Sequence, residues 1–142
     1  MKKIIFFFIF VCVIVFSGFS HGNVNVIIDI TNVQVNGGIV HLAIFANADE
    51  FRREEPFLAF QLGDASTVLS QKVSLPAGEY VVSAFQDANG NGRLDFNRLG
   101  IPRELVGISN FNGRGFPSRN FDRQKIRIDE STGRITLPLH RF

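Results

Sequence analysis

The chain has 142 residues, 45% hydrophobic and 20% charged, a balance that suits one globular domain and excludes a disordered or fibrous chain. Fifteen Lys and Arg against 13 Asp and Glu give a formal net charge of +2. A single cysteine excludes an intramolecular disulfide framework and a multi-cysteine zinc site.

The first segment carries the pattern of a secretory signal. Lys2 and Lys3 form a basic start, Ile4 to Phe16 is an apolar run, and Gly18 and Ser20 are the small residues a signal peptidase accepts at its minus-three and minus-one positions. Residues 1–20 are therefore predicted to be removed. The run is shorter than the roughly 20 residues that cross a ~30 Å hydrocarbon core as a helix, so no stable membrane span is expected after cleavage. Cleavage also removes Cys12, Lys2 and Lys3, leaving 13 basic against 13 acidic side chains. That neutral balance argues against a nucleic-acid partner. The basic residues of the second half are mostly arginines, including Arg93, Arg98, Arg103, Arg114, Arg119, Arg123 and Arg127, and read as a solvated face or a contact for an anionic partner.

Beyond the signal, apolar residues recur with period two. Val24, Val26, Ile28 and Ile30 mark a first strand. Asn36-Gly37-Gly38 is a turn signal, and Ile39 to Asn47 reads as a second strand. Asp49 to Pro56 is charged and suits a loop or one helical turn. Val68 to Leu75 and Tyr80 to Phe85 are strands joined by the turn Pro76-Ala77-Gly78. A tyrosine just past such a turn can return its hydroxyl to upstream backbone, forming a tyrosine corner. Residues 87–120, rich in Gly, Asn, Arg and Pro, read as a long excursion of the functional or ion-stabilised kind. Lys125 to Ile128 and Ile135 to Leu139 complete the set. These elements predict one all-β domain over 21–142, a small antiparallel Greek-key β-sandwich of about seven strands.

Within the excursion, Asp87-Ala88-Asn89-Gly90-Asn91-Gly92-Arg93-Leu94-Asp95 places oxygen-bearing side chains at alternate positions and glycine at the sixth. A calcium ion takes 6–8 oxygen ligands, and a loop coiled around it offers positions one, three and five from side chains, seven from a carbonyl and nine directly or through water. The expected ligands are Asp87, Asn89, Asn91, the Arg93 carbonyl and Asp95, with Gly92 at the sharp turn and Leu94 in the core. Position twelve is Arg98 where an EF-hand has glutamate, which leaves Glu104 as the downstream carboxylate to close the shell. Such a ligand set predicts an affinity on the order of 10⁻⁴ M, as in extracellular modules. The same Asn-Gly-Asn-Gly run also suits a plain turn that holds no ion.

Leu75-Pro76-Ala77-Gly78-Glu79-Tyr80, the run from Ala84 to Asp95, Leu99-Gly100-Ile101-Pro102-Arg103-Glu104 and Gly107-Ile108-Ser109-Asn110 together resemble the bacterial exported family called domain of unknown function 2141. The likeness extends from about Val24 to Leu139. It implies a transthyretin-like or carboxypeptidase-regulatory-like sandwich and carries over no catalytic residue. The segment from Asn112 to Ser118 departs from the family pattern.

No Gly-x-Ser-x-Gly elbow and no histidine pair at metal spacing is present; His21, His41 and His140 stand far apart in sequence. A transthyretin-like hydrolase ends in Tyr-Arg-Gly-Ser, whereas this chain ends Leu139-His140-Arg141-Phe142. The expected role is an exported, non-catalytic structural or interaction domain in the periplasm or outside the cell, meeting an envelope or extracellular partner. The alternative is a glycan- or peptide-binding module, although a sugar platform would have to use Phe96, Phe111, Phe116 or Phe121, since Trp is absent and Tyr80 is the only tyrosine. Protein recovered outside the cytoplasm should begin near His21; mass spectrometry that finds Met1 at the N-terminus of the exported form overturns the signal assignment.

Overall fold

The computed structural model describes residues 22–142. The predicted signal peptide at 1–20 lies outside the described residues, as does His21. Eight strands and two short helices follow one another: β1 (Asn23–Thr31), β2 (Ile39–Phe45), α1 (Ala48–Arg53), β3 (Leu58–Leu62), β4 (Val68–Pro76), β5 (Gly78–Asp87), β6 (Leu105–Ile108), α2 (Phe121–Gln124), β7 (Ile126–Ile128) and β8 (Arg134–Pro138). They form a sandwich of a three-stranded sheet, ordered β4-β1-β8, and a five-stranded sheet, ordered β3-β2-β5-β6, with β7 pairing the start of β5. All pairings are antiparallel except β1 with β8, which run parallel from Ile27↔Arg134 to Thr31↔Pro138.

The period-two pattern places the core. Val24, Val26, Ile28 and Ile30 turn inward from β1 against Val40, Leu42 and Ile44 of β2. Val73 and Leu75 of β4, Val82 and Ala84 of β5, Ile128 of β7 and Leu137 of β8 complete the interior. Each fully buried Val, Leu or Ile contributes about 1.5–3 kcal/mol relative to exposure, so this interleaved set is the main source of stability.

Two polar devices fix how the sheets are joined. The chain leaves the three-stranded sheet at Pro76 and enters the five-stranded sheet at Gly78, and Tyr80, buried just beyond, donates its hydroxyl to the Pro76 carbonyl at 2.8 Å. This is the expected tyrosine corner. At the opposite end, the inward-facing Gln86 accepts from the Gln34 N–H at 2.9 Å and donates to the Gln34 and Gly38 carbonyls at 2.7 and 3.1 Å, so a buried amide anchors the β1–β2 turn. Gly38 has φ +103°, and an added Cβ would lie 1.9 Å from the Asp87 carbonyl oxygen; only glycine lets the turn pass this close to the end of β5.

The two outward faces of the sandwich differ. On the three-stranded sheet Asn25, Asp29, Ser70, Lys72 and Ser74 face out, and Asp29 accepts from the Ser70 hydroxyl at 2.6 Å and from Arg134. On the five-stranded sheet the outward residues include Ala43, Phe45, Val81, Phe85, Val106 and Ile108. Helices α1 and α2 cover one end of this second face, where Phe51 packs edge-on to Phe45 at 5.3 Å and to Phe121 at 6.4 Å. Asn47 caps α1 by accepting from the Glu50 N–H at 2.9 Å, while the Glu50 carboxylate reaches back to the Ala46 N–H at 2.8 Å.

Strand β6 lies inside the stretch expected to be an irregular excursion. It is held on one side by β5 and on the other by His140, whose N–H donates to the Val106 carbonyl at 2.8 Å and whose carbonyl accepts from the Val106 N–H at 3.0 Å. Gly107 is necessary there, because a Cβ would lie 2.6 Å from the Pro138 carbonyl oxygen. Replacing Tyr80 by Phe keeps the buried ring and removes one hydrogen bond to Pro76, so chemical denaturation should show a loss of about 0.5–1.5 kcal/mol; an unchanged midpoint would show that the corner contributes nothing.

Candidate functional site

Strand β5 delivers Asp87 to the outer face of the five-stranded sheet, where the residue is 4% exposed and the chain must turn away. The turn is built around that carboxylate. Asp87 Oδ1 accepts from the Gly90 and Asn91 N–H groups at 2.9 and 3.2 Å, and Oδ2 accepts from the Gly92 N–H at 2.7 Å. Aiming three successive N–H groups at one carboxylate requires left-handed backbone, and Gly90 and Gly92 supply it with φ of +73° and +74°.

The other alternating oxygens repeat the motif on a smaller scale. Asn89 Oδ1 accepts from the Asn91 N–H at 3.0 Å and Asn91 Oδ1 from the Arg93 N–H at 2.8 Å, two Asx turns in series. Both amide nitrogens then converge on one oxygen: Asn89 Nδ2 and Asn91 Nδ2 donate to Asp95 Oδ2 at 2.6 and 2.8 Å. Glu104, buried just ahead of β6, closes the loop from its far end, accepting from the Ala88 N–H at 3.0 Å and the Asp95 N–H at 3.3 Å. The structure thus brings Asp87, Asn89, Asn91, Asp95 and Glu104 into one loop, with Arg93 contributing its backbone to the same coil. Among the described residues, no three of His, Cys, Asp and Glu stand together as a metal-holding group. Leu94 departs from expectation: it is half-buried and lines a groove outside the sandwich instead of entering the core.

Burial acts to raise the Asp87 carboxyl, but the N–H groups of Gly92, Gly90 and Asn91 and the neighbouring His41 outweigh it and hold the group below the ordinary carboxylate range. His41 stacks flat on Phe85, with ring centroids 4.7 Å apart, and brings Nε2 to 3.5 Å from Asp87 Oδ2 without completing a hydrogen bond. Ser109 holds the other end of β6. Its hydroxyl donates to the Gln124 carbonyl at 2.7 Å and accepts from the Val82 N–H at 3.0 Å, and Asn110, at φ +62°, donates to the Arg123 carbonyl at 3.1 Å. The Gly-x-Ser-Asn run is therefore a clamp between β5, β6 and α2.

Beside the Asp87 loop lies a groove of about 1000 Å³ on the outer face of the five-stranded sheet. Strand register sets its floor: Gln61, His41, Phe85 and Val106 form one row, and Ala59, Ala43, Ser83 and Ile108 the next. Three small side chains in the second row leave a trough. Gly92 to Phe96 and Phe116 to Arg119 form walls, and Phe51, Arg52 and Glu54 stand at the α1 end. Nothing in local periodicity marks this groove, because it depends on which residues the register places side by side. Among the described residues, no helix is long and apolar enough to cross a membrane.

An eight-stranded sandwich with an Asp-capped acidic loop at the end of β5 defines a small all-β module. Residues 28–136 match the family described as an uncharacterized protein conserved in bacteria (DUF2141), and the chain belongs to that family. Neither the curated proteins nor the solved structures yield a match.

Because the folded state holds the Asp87 carboxyl below its ordinary value of 3.8, its contribution to stability is complete above that pH and is lost as pH falls through and below it. Asp87→Asn places an amide N–H₂ against backbone donors, so its melting temperature should fall at neutral pH and decline less steeply between pH 5 and about 2. Parallel acid profiles for the two proteins would show that Asp87 does not carry this dependence.

Proposed function

We propose that this protein is an exported, non-catalytic structural or interaction module whose 87–104 loop is ordered by one calcium ion. The observation that carries the structural role is how the buried carboxylates are engaged. Both oxygens of Asp87 and both oxygens of Glu104 accept backbone N–H groups of the same loop, so these groups shape a surface and are not left poised as base or nucleophile. The basic start, apolar run and small residues of 1–20 support export.

Support for the ion comes from the convergence of Asn89 and Asn91 on Asp95 beside Asp87 and Glu104. Asp87, Asp95 and Glu104 do not by themselves form a metal-holding cluster among the described residues, so the site depends on the two neutral amides to complete its shell. Rotating the Asn89 and Asn91 amides presents oxygens where nitrogens now donate to Asp95. A dication has to offset four hydrogen bonds, the two to Asp95 and the two Asx-turn bonds from the Asn91 and Arg93 N–H groups, of which the Asn91 N–H keeps Asp87 Oδ1 as an acceptor.

If calcium binds only the folded state, at free calcium about 100 times Kd the gain is about 2.7 kcal/mol. Melting should therefore rise from chelator to millimolar calcium, stay low with magnesium at the same concentration, and lose its calcium response in Asp95→Ala. Equal melting in chelator and calcium leaves the loop as a plain Asx-capped turn and removes the ion from the proposal.

A further inference from the structure

The groove on the five-stranded sheet, one wall of which belongs to the 87–104 loop, has the chemistry of a ligand site that needs no bound ion. We propose that it binds a single long-chain carboxylate, an apolar chain of ten or more carbons ending in one anionic head, with the chain in the Ala43–Ser83 trough and the head on the arginines of the wall.

Three observations select this ligand over a peptide or a sugar. The volume of about 1000 Å³ is at the upper end of what small-molecule sites enclose. The floor is a sheet face in which β2, β3, β5 and β6 already pair their backbone groups, so a peptide main chain laid in the trough would find few partners for its own N–H and C=O groups. A sugar would need several converging hydrogen-bonding groups, whereas the trough row is Ala59, Ala43, Ser83 and Ile108. A hydrocarbon chain has no polar group to satisfy, and its burial is favourable at roughly 25 cal/mol per Å².

Charge then orients it. Arg52, Arg93 and Arg119 line the groove against one acid, Glu54. Arg52 is already paired with Asp49, while among the described residues Arg93 and Arg119 have no carboxylate partner. The Arg119 guanidinium lies 5.8 Å from the centroid of the Phe96 ring, a placement that holds the cation beside the apolar wall. Arginine presents a planar fork that matches a carboxylate bidentately. Phe116, exposed at 63% and lining the groove, is a large apolar side chain available to cover a bound chain.

The test uses the full mature chain with dodecanoate below its micelle concentration, followed by isothermal titration calorimetry in chelator, so that failure of the ion reading leaves this one separately measurable. Dodecanoate should bind one to one, whereas acetate and dodecyltrimethylammonium should not. Ser83→Phe, which fills the floor, should weaken dodecanoate binding at least tenfold. Should that variant fail to fold, Ala59→Trp fills the trough from the exposed edge strand and introduces the only indole of the chain, whose emission reports the same site. Arg93→Glu with Arg119→Glu should weaken dodecanoate at least tenfold and admit the cationic amphiphile. The proposal is overturned if dodecanoate does not bind the folded protein, if dodecyltrimethylammonium binds equally, or if filling the trough leaves affinity unchanged. It is also overturned if the protein cosediments with phosphatidylglycerol vesicles while ignoring free dodecanoate, which would assign the arginines to a membrane surface.

Discussion

The Asp87 carboxylate, receiving three backbone N–H groups at the end of β5, is the interaction on which the outer architecture depends. A strand that ends at the rim of a sheet must discharge its chain somewhere, and the first turn decides the direction. Here the turn is coiled so tightly that residues 92–96 are carried back over the outer face of the sheet and become a groove wall. Glu104 gives the far end of the same loop a second buried carboxylate, so the segment between them is tied at both ends before β6 begins. A carboxylate that accepts several backbone N–H groups is strongly favoured in its charged form, and that preference is the coupling between loop geometry and proton binding.

The sandwich also treats its two outward faces unequally. The three-stranded sheet shows water a polar surface of Asn25, Asp29, Ser70, Lys72 and Ser74, and needs no cover. The five-stranded sheet shows Phe45, Val81, Phe85, Val106 and Ile108, and both helices and the 87–120 segment are deployed over it. Cover is complete where Phe51 and Phe121 pack and incomplete over the row of Ala43 and Ser83. An antiparallel sheet with one solvated face reads as alternation, whereas a strand buried on both sides reads as a continuous apolar run. Tyr80-Val81-Val82 is such a run.

Much of this was legible from residues alone. β1, β2, β4, β5, β7 and β8 follow from period-two alternation bounded by turn residues, the tyrosine corner from a Tyr two residues past Gly78, and the coil of the acidic loop from alternating Asp and Asn with glycine at the sixth position. β3 and β6 were not legible. Leu58–Leu62 follows a proline and a phenylalanine and sits at a sheet edge, and Leu105–Ile108 is a four-residue strand inside a Gly- and Pro-rich stretch with Gly107 within it. Both become strands because a neighbour supplies the hydrogen bonds, an effect with little local trace.

The same division explains the site. The sequence by itself determined which backbone could coil, because positive φ at Gly90 and Gly92 and Asx turns at Asn89 and Asn91 are local preferences of those residues. It also determined the alternation that fills the core. Only the tertiary structure decided that Leu94 faces a groove and not the core, that β1 and β8 run parallel, and that Ala59, Ala43, Ser83 and Ile108 come from four strands into one row. Register is a relation between strands distant in the chain, and a shift of one residue would turn every one of those side chains to the opposite face.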